Sequence, residues 1–427
     1  MEKITILENK RIVLAATGSI AVYKAVDLAS KLTQIGAQVD VIMTDAAQRF
    51  IAPITFQAVT GRPVYTDMWQ ADISGGLATH IAHVGLGEGA DLIAVIPATA
   101  NTIARLAQGI SDDLLTVTAL AARCPMLVAP AMDGGMYEHP ATQANVETLM
   151  QRGVYVVQPE AGRFASGLHG RGRLPDTPTL IGHIRRLLAR DGALAGQHVV
   201  VSAGPTREAF DPVRFISNHS SGKQGYAIAQ AALDAGADVT LLSSVNLPAP
   251  IGARLVKFNA ANELQDAVLN ALVHENHADI LVMAAAVADF RPATQSEQKI
   301  KKQGDNDGLK IELVRNPDIL KTVHHVRHHP DDFDRVSQQS IAQLKVVVGF
   351  AAESQHIMEN AQRKVESKGL DFIVANDISA KDAGFAVDDN RVIFLHKDGT
   401  HETFDLMSKA KVAEHIMQRV AALLTEK

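Results

Sequence analysis

The amino-terminal part of the chain alternates between apolar runs and a helical pattern. Residues 11–16 are an apolar run, residues 22–35 place apolar side chains at helical spacing, and residues 39–43 are a second apolar run after Gly36. This order of strand, helix and strand predicts a βαβ unit with a parallel sheet and a right-handed crossover. Two later apolar runs, each followed by a polar loop, extend the pattern through residue 136.

The second half of the chain repeats this pattern. Residues 199–201 are a short apolar run, an alanine-rich helical pattern starts at Tyr226 and stops before Gly236, and further apolar runs follow. We therefore expect two α/β domains. Each is predicted to be a Rossmann-like, open and mainly parallel sheet with helices on both faces, and the first to be flavodoxin-like.

Length and composition agree with two domains. The chain has 427 residues, of which 47% are hydrophobic and 21% are charged, so each half can bury a full core. An amphipathic pattern over residues 180–188 is followed by Asp191 and Gly192, which is typical of a closing helix and a linker. The predicted domains are residues 1–190 and 191–427.

Charge and cysteine content narrow the range of functions. The net charge of −6 disfavours a nucleic-acid-binding surface, and no run reaches the length of a membrane span. The single Cys124 excludes an intramolecular disulfide, and the first residues lack the apolar core of a signal peptide. These features predict a cytoplasmic protein whose ligands are small molecules.

The loop between residues 201 and 226 is the richest in candidate chemistry. It contains Gly204, Gly222 and Asn218, together with arginines, a lysine and several serines, where the amino terminus of a helix is expected. Backbone N–H groups and cationic side chains at such a place suit an anion. Its spacing matches neither a dinucleotide fingerprint nor a P-loop, and the alternative is a loop that is only polar and glycine-rich.

Two polar loops of the first half follow predicted strands. They are residues 18–19 and residues 97–102. In an open parallel sheet, ligands bind beyond the carboxyl ends of the strands, so the two loops together suit one phosphate ester. For residues 97–102 the alternative is a plain turn with a helix cap, because threonine and asparagine are good caps.

Four stretches carry a resemblance to known families. Residues 18–24, 97–102 and 130–136 resemble the signature stretches of the homo-oligomeric, flavin-containing cysteine decarboxylases. Residues 199–226 resemble the ligase half of the bifunctional phosphopantothenoylcysteine decarboxylase/phosphopantothenate–cysteine ligases of coenzyme A biosynthesis. The order and length of the motifs agree with that bifunctional family across essentially the whole chain.

The resemblance implies that the first half binds FMN. The family's substrate carries its carboxylate next to an amide-bearing carbon, so loss of carbon dioxide would leave an unstabilised carbanion. A flavin provides the electron sink by first oxidising the thiol-bearing carbon. The family base is a histidine in a His-x-x-Leu pattern, which His83 matches, whereas His80 lies one helical turn earlier. The flavin site implied by the family pattern consists of Gly18, Ser19, Thr44, Thr99, Asn101 and Thr102.

Two positions of the first half differ from the usual family pattern. Asp133 stands where the family usually has an asparagine that contacts the substrate carboxylate. Its carboxylate is protonated, turns away, or promotes carboxylate expulsion electrostatically. Ser166 replaces the cysteine of the substrate flap, which normally protonates the enethiolate, and His169 is a candidate substitute acid.

The resemblance implies that the second half is a ligase. CTP activates the carboxylate of 4′-phosphopantothenate as an acyl cytidylate with release of pyrophosphate, and the amine of cysteine then attacks. Asn218 contacts the intermediate, Lys299 acts in catalysis, and Mg²⁺ accompanies the triphosphate. Lys364 and Lys368 lie four residues apart on a predicted helix, so both ammoniums project from one face. The implied nucleotide site consists of Ala284, Ala285, Asp289, Lys299, Asn316, Pro317, Asp318, Ile319, Phe350, Lys364 and Lys368.

The resemblance also implies a homo-oligomer, with a trimeric first half and a dimeric second half. Two alternative functions stay open. One is an active ligase with an FMN-binding but impaired decarboxylase half, which Asp133 and Ser166 favour. The other is a flavoprotein regulatory or scaffold module.

A histidine-rich stretch lies at residues 324–329. Without further placed ligands we interpret it as a solvated helix end rather than a metal site. The sequence does not indicate which residues would bind a metal ion.

Overall fold

The computed structural model describes residues 2–69, 82–164, 167–273, 277–301, 309–329, 344–353, 357–377 and 389–426. The chain divides into two compact units, Met1–Ala189 and Arg190–Lys427. Each unit has buried apolar cores of its own. In the described part of the chain, no helix is both long and apolar enough to cross a membrane.

The first unit is built on a six-stranded parallel sheet. The described strands of the unit are β1 Arg11–Ala16, β2 Gln38–Met43, β3 Val64–Tyr65, β4 Leu92–Ala98, β5 Met126–Pro130, β6 Tyr155–Val156, β7 Glu160–Arg163 and β8 His169–Arg173. The sheet order is β3-β2-β1-β4-β5-β6, while β7 and β8 form a separate antiparallel hairpin. This is the doubly wound order, and without the two-residue β3 it is the flavodoxin order, so the predicted fold class is confirmed.

Helices cover both faces of this sheet. They are α1 Val22–Gln34, α2 Asp45–Gln48, α3 Pro53–Thr60, α4 Ala82–Glu88, α5 Ala100–Gln108, α6 Leu114–Ala121, α7 Gly134–Glu138, α8 Pro140–Gln151 and α9 Thr177–Leu188. Alternate residues of β1 face opposite cores: Leu14 packs in the core of α1 and α9, and Val13 in the core of α5 and α8. Burial on both faces explains why the strands are continuous apolar runs rather than alternating ones.

The second unit has a larger, mainly parallel sheet. Its strands are β9 His198–Ala203, β10 Arg207–Ala209, β11 Phe215–Ser217, β12 Asp238–Ser243, β13 Arg254–Lys257, β14 Ile280–Met283, β15 Phe290–Pro292, β16 Leu313–Arg315, β17 Val346–Glu353, β18 Phe372–Asp377, β19 Asp389–His396 and β20 His401–Ser408. The sheet order is β13-β12-β9-β14-β17-β18-β19-β20, and only the last two strands join it in an antiparallel sense. The predicted Rossmann-like order is confirmed here as well.

Two antiparallel pairs, β10–β11 and β15–β16, lie outside this sheet, and the sequence analysis did not predict them. The helices of the unit are α10 Lys223–Asp234, α11 Ala261–Val273, α12 Ile319–His328, α13 Ile357–Lys368 and α14 Lys409–Thr425. Helix α10 begins three residues before the predicted start at Tyr226. Gly222 adopts a φ of 75°, in the left-handed region that glycine tolerates, and the helix follows directly.

Candidate functional site

The loops after β1 and β4 of the first unit are joined by a buried threonine. Thr17 follows β1 directly and is 1% exposed. Its Oγ1 donates a hydrogen bond to the carbonyl oxygen of Pro97 at 2.7 Å and accepts one from the backbone N–H of Thr99 at 3.0 Å. Thr17 was not among the residues predicted from the sequence, although a hydroxyl directly after an apolar strand is a usable signal. Thr17 fixes the two polar loops side by side at the point where the sheet order reverses.

A cavity of about 920 Å³ opens at this edge of the first sheet. The side chains of Thr44 and Thr99 cap α2 and α5 by accepting hydrogen bonds from the third residue of each helix. A Cβ at Gly18 would overlap the Cβ of Ala46, so the backbone comes this close only because the residue is glycine. Five predicted flavin-site residues line the cavity: Gly18, Thr44, Thr99, Asn101 and Thr102.

The sixth predicted flavin-site residue, Ser19, lines a second cavity of about 330 Å³. This cavity is rich in cations. Lys24, Arg163 and Arg173 line it, together with a single carboxylate, Asp133. Burial, with repulsion from Arg173, lowers the pKa of the Lys24 ammonium, which donates a hydrogen bond to the carbonyl oxygen of Leu174 at 2.8 Å. Three cations around one cavity suit a substrate that carries a carboxylate or a phosphate.

Asp133 lies beside the hairpin that carries the flap. Its Oδ1 accepts a hydrogen bond from the backbone N–H of Gly135 at 3.1 Å and caps α7. The backbone N–H of Met132 donates to the carbonyl oxygen of Gly172 in β8 at 3.0 Å, which joins the two segments. The Asp133 carboxylate therefore combines a capping role with a position in the cavity wall. Ser166 lies outside the described residues, and the side chain of His169, at the start of β8, is exposed.

His83 is not among the described residues that line either cavity. It lies on the short helix α4 and is half-buried. Its Nδ1 is buried and has no hydrogen-bond partner in the described part of the structure. The role of His83 as a base thus stays a prediction. His80 lies outside the described residues.

In the second unit, two amide side chains form hydrogen bonds to the segment that follows β14. Asn218 Nδ2 donates a hydrogen bond to the carbonyl oxygen of Ala286 at 2.6 Å. Asn316 Nδ2 donates to the carbonyl oxygen of Ala288 at 2.7 Å. The backbone N–H of Asn316 donates to the carbonyl oxygen of Asp289 at 2.8 Å. Three residues that the sequence placed in the site, Asn218, Asp289 and Asn316, are therefore brought together by this segment.

A smaller cavity of about 120 Å³ lies at the amino terminus of α10. Gly222 is the N-cap residue of this helix, and the amino terminus of a helix favours an anion. Three predicted nucleotide-site residues, Ala284, Ala285 and Phe350, line the cavity. The other lining residues include Ser220, Ser221, Lys223, Gln224, Gly225, Asn376, Asn390 and Lys409.

Sequence reasoning missed Asn376, Asn390 and Lys409 in this cavity. Asn390 is fully buried, and its Nδ2 has no hydrogen-bond partner among the described residues; the same holds for the buried Oδ1 of Asn376. Lys409 is only 7% exposed. Buried polar atoms are normally hydrogen-bonded, so Asn390 Nδ2 and Asn376 Oδ1 could bind water or a ligand. These residues come from β18, β19 and the start of α14, far from the loop motif in the sequence.

The remaining predicted residues lie around α12 and α13. Lys368 ends α13, and its ammonium pairs with Asp318 Oδ1 at 3.2 Å, so two predicted site residues contact each other. Lys364 lies one turn earlier and is half-buried, whereas the Lys299 side chain is exposed. Pro317 precedes α12, and the side chain of Ile319 is 3% exposed and packs in the core, which limits it to backbone contacts with a ligand.

The histidine-rich stretch forms the end of α12. The rings of His324 and His328 lie 4.4 Å apart, and those of His325 and His329 lie 5.0 Å apart, measured between centroids. Within the described ranges, no group of three or more His, Cys, Asp or Glu side chains is arranged to hold a metal ion.

Two protein families match the chain. Residues 2–189 match the family described as Flavoprotein. Residues 194–424 match the family described as DNA/pantothenate metabolism flavoprotein C-terminal domain. The two matches follow each other along the chain and together span nearly all of it.

Several relatives match over their full length. The coenzyme A biosynthesis bifunctional protein of Bacillus subtilis is 43% identical over 421 residues, which cover 98% of both chains. The protein of the same name from Mycobacterium tuberculosis H37Rv is 43% identical over 425 residues, which cover 97% of both chains.

Solved structures match each half separately. The C-terminal domain of such a bifunctional protein is 33% identical, covers 56% of this chain and 100% of its own, and gives a TM-score of 0.43. A cysteine-to-serine mutant of PPC decarboxylase, complexed with pantothenoylaminoethenethiol, is 28% identical, covers 42% and 97%, and gives a TM-score of 0.38. The two family matches and the full-length relatives show that this chain belongs to the family of coenzyme A biosynthesis bifunctional proteins.

Proposed function

We propose that the chain catalyses two consecutive reactions of coenzyme A biosynthesis. The unit Arg190–Lys427 joins cysteine to 4′-phosphopantothenate at the expense of CTP. The unit Met1–Ala189 then decarboxylates 4′-phosphopantothenoylcysteine to 4′-phosphopantetheine with FMN. The observation that carries the proposal is a polar cavity at the point where the strand order reverses in each of the two sheets.

In the ligase reaction, the carboxylate oxygen of phosphopantothenate attacks the α-phosphorus of CTP, and pyrophosphate leaves. The amine of cysteine then attacks the acyl carbon, and CMP leaves. Asn218 supports this step because its amide holds the segment that includes Ala284 and Ala285, beside the α10 amino terminus. The cavity there, with Lys223 and Lys409 on its wall, suits a phosphate group of either substrate. Lys299, Lys364 and Lys368 are proposed to neutralise the triphosphate.

Mg²⁺ is proposed to enter with the nucleotide. The described part of the chain offers no cluster of three protein ligands. Mg²⁺ commonly keeps several water molecules and binds through substrate phosphates and one or two carboxylates. Asp289 and Asp318, which lie near the proposed triphosphate, are the carboxylates we assign to this role.

The first unit suits FMN. The close backbone approach at Gly18 and the two threonine-capped helices give a cradle of the size and polarity that a phosphate-bearing ring system needs. Bound FMN supplies an electron sink that takes up two electrons from the thiol-bearing carbon and returns them after carbon dioxide leaves. His83 is proposed as the base that takes the proton during the oxidation.

The chain's own residues also act on the substrate of the first unit. The cavity with Lys24 and Arg173 is proposed to receive the anionic substrate, with Asp133 close to the carboxylate that leaves. A carboxylate beside a carboxylate raises the free energy of the bound substrate and favours loss of carbon dioxide. Ser166 is proposed to cover the substrate, and His169 to return the last proton.

Cytoplasmic location and a homo-oligomer are part of this proposal. Large apolar side chains are exposed on the first unit, among them Trp69 at 83% and Ile54 at 64%. On the second unit, Val213 is 60% and Phe215 is 51% exposed. Exposed apolar side chains of this size can be buried when subunits associate. We propose that the chain forms trimers through the first unit and dimers through the second. Sedimentation velocity of each unit measures its oligomeric state.

The decisive experiment supplies the purified chain with 4′-phosphopantothenate, CTP, Mg²⁺ and cysteine. Pyrophosphate and carbon dioxide are followed together. We expect pyrophosphate release that requires phosphopantothenate and one carbon dioxide for each pyrophosphate. Pyrophosphate without carbon dioxide would contradict the decarboxylase assignment and return the impaired-decarboxylase alternative, which the full-length bifunctional relatives disfavour. Absence of both products would leave the scaffold alternative.

A further inference from the structure

A buried carboxylate lies at the turn of the β10–β11 hairpin. Asp211 is 1% exposed, and its Oδ1 accepts hydrogen bonds from the backbone N–H groups of Val213 at 2.8 Å and Arg214 at 2.7 Å. These two bonds are enough to close the turn. Its Oδ2 is bound separately, by Arg214 Nη2 at 2.6 Å and Nε at 3.0 Å. The Arg214 guanidinium holds the pKa of the Asp211 carboxyl well below its usual range, so the pair stays ionised.

The ion pair also binds a second segment of the chain. The backbone N–H of Ile300 donates to Asp211 Oδ2 at 3.3 Å. Arg214 Nη2 donates to the carbonyl oxygen of the same Ile300 at 3.0 Å. The backbone N–H and carbonyl oxygen of Ile300 are thus both bound by the Asp211–Arg214 salt bridge. Ile300 lies 86 residues after Arg214 in the sequence. A turn that only closed on itself would not need these contacts.

A third contact fixes the same segment four residues earlier. The backbone N–H of Ser296 donates to the carbonyl oxygen of Phe210 at 3.0 Å. Residues 296–300 are therefore attached to the hairpin turn at both ends. Lys299 lies between the two attachments, and its side chain is exposed. The main chain of this lysine is held while its ammonium is free to extend.

The root of the same hairpin reaches the other part of the site. Ser217 Oγ in β11 donates to the carbonyl oxygen of Thr206 at 2.7 Å, and Asn218 follows directly and holds Ala286. The backbone N–H of Thr206 also donates to the carbonyl oxygen of Ala286 at 3.1 Å. The hairpin thus connects Asn218 at its root with the segment of Lys299 at its turn.

We propose that Asp211 is a positioning residue that, through Arg214 and Ile300, fixes the main chain of residues 296–300 and so holds Lys299 at the phosphates of the nucleotide. The identity of the ligand rests on the proposed function. The anchoring of the segment does not depend on it. A prepositioned lysine avoids the loss of conformational freedom that an unanchored loop would undergo on binding.

Limited proteolysis of the full chain tests the anchoring directly. Trypsin cuts after Lys299 only when the segment opens, and loss of hydrogen bonds to a charged group favours opening about tenfold or more. We expect Asp211→Asn to speed cleavage at this site by that factor. Asp279→Asn is the matched control, because Asp279 pairs with Lys345 at 2.9 Å at the opposite ends of the strands. Equal cleavage of the two variants at equal thermal stability would overturn the proposal.

Kinetics separate positioning from general damage. We expect Asp211→Asn to raise the KM for CTP about fivefold or more, with kcat for pyrophosphate release changed less than about twofold. In a Lys299→Ala background the same substitution should have no further effect on KM, because the residue acts through Lys299. Additive effects of the two substitutions would contradict this.

The wild-type chain gives a test that does not depend on the folding of any variant. Hydrogen exchange should show the amides of Ser296 and Ile300 protected about tenfold or more relative to an unfolded peptide. Exchange at the unfolded rate would overturn the anchoring. If exchange and proteolysis behave as expected but the chain releases no pyrophosphate, the anchoring of residues 296–300 is supported and the proposed ligase function is contradicted.

Discussion

The two units share one sheet order but differ in the loop that follows their first strand. In the first unit, only residues 17–21 separate β1 from α1. In the second unit, residues 204–222 separate β9 from α10 and include the β10–β11 hairpin. Both helices begin without a side-chain capping hydrogen bond, whereas α2 and α5 of the first unit are capped by threonines. In α1 the first N–H groups are bonded locally, because Val22 donates to the carbonyl oxygen of Ser19 and Lys24 to that of Ala21, each at 3.0 Å.

The difference shows how one fold acquires two chemistries. The short loop of the first unit leaves a wide cavity of about 920 Å³, which suits a ring system. In the second unit the cavity at the α10 amino terminus is about 120 Å³, which suits a phosphate group. The longer loop adds the β10–β11 hairpin, which has Asp211 in its turn and is followed by Asn218. The fold provides the place for a ligand, and the length of this loop decides which groups reach it.

The largest expected effect comes from adding a side chain at Gly225, where α10 packs closely against β9 in the second unit. A Cβ at Gly225 would lie 2.5 Å from the Cβ of Ala203, so Gly225→Val must displace α10 from β9. A shift of this size at a positioning element lowers the rate of pyrophosphate release by about 100-fold. Ala227→Val, at a half-buried position of the same helix, is the control and should keep most activity. Flavin binding should be unaffected by either substitution, and its loss would contradict the separation of the two sites.

Gly18→Val makes the corresponding change in the first unit. The valine side chain would overlap Ala46 and move the loop after β1, which should weaken FMN binding about 10- to 100-fold. Flavin absorbance after gel filtration measures this, with the rate of pyrophosphate release as the internal control. A variant that stays yellow would exclude this loop from the flavin site.

Lys409→Met tests the residue that sequence reasoning missed in the second cavity. If Lys409 binds a substrate phosphate as proposed, its removal should lower the rate of pyrophosphate release about 10- to 100-fold, because a charge-assisted hydrogen bond is lost. Lys411→Met is the matched control, since Lys411 pairs with Glu414 at 2.7 Å on the same helix and does not line the cavity. Equal activity of the two variants would remove Lys409 from the site.

The smallest expected effect is a pH dependence confined to the first unit. His183 contacts the Tyr155 hydroxyl at 2.9 Å, and burial together with Arg186 lowers its pKa from 6.5. The unfolded chain then binds a proton more readily than the folded one, so stability should fall as the pH decreases through 6.5. Thermal unfolding followed by flavin fluorescence measures this. His183→Gln should flatten the dependence, and an unchanged slope would rule out His183 as its source.

Local patterns predicted the sheets well. The apolar runs at residues 11–16 and 39–43 became β1 and β2, because a strand buried on both faces must be apolar throughout. The short pairs β10–β11 and β15–β16 were not predicted. Each strand has only three residues, and those of β11 and β16 are mostly exposed, so the pairs leave no hydrophobic periodicity in the sequence.

The candidate sites were predicted where motifs are continuous. Gly18, Thr44 and Thr99 line the wide cavity, because each follows a parallel strand and the carboxyl ends of such strands share one edge. Their contact with a flavin stays a prediction. Asn390 and Lys409 could not be found in this way. They join the α10 amino terminus only because β19 and α14 fold back beside it, more than 150 residues later in the chain.

The sequence by itself determined the two α/β units, the order of their elements and the polar loops at the strand ends, because these follow from local periodicity and turn chemistry. Only the tertiary structure decided which distant side chains complete each site. It placed Asp211 against Ile300, Asp318 against Lys368 and Asn390 in the cavity wall. Such contacts depend on strand register and helix packing, which no local pattern encodes.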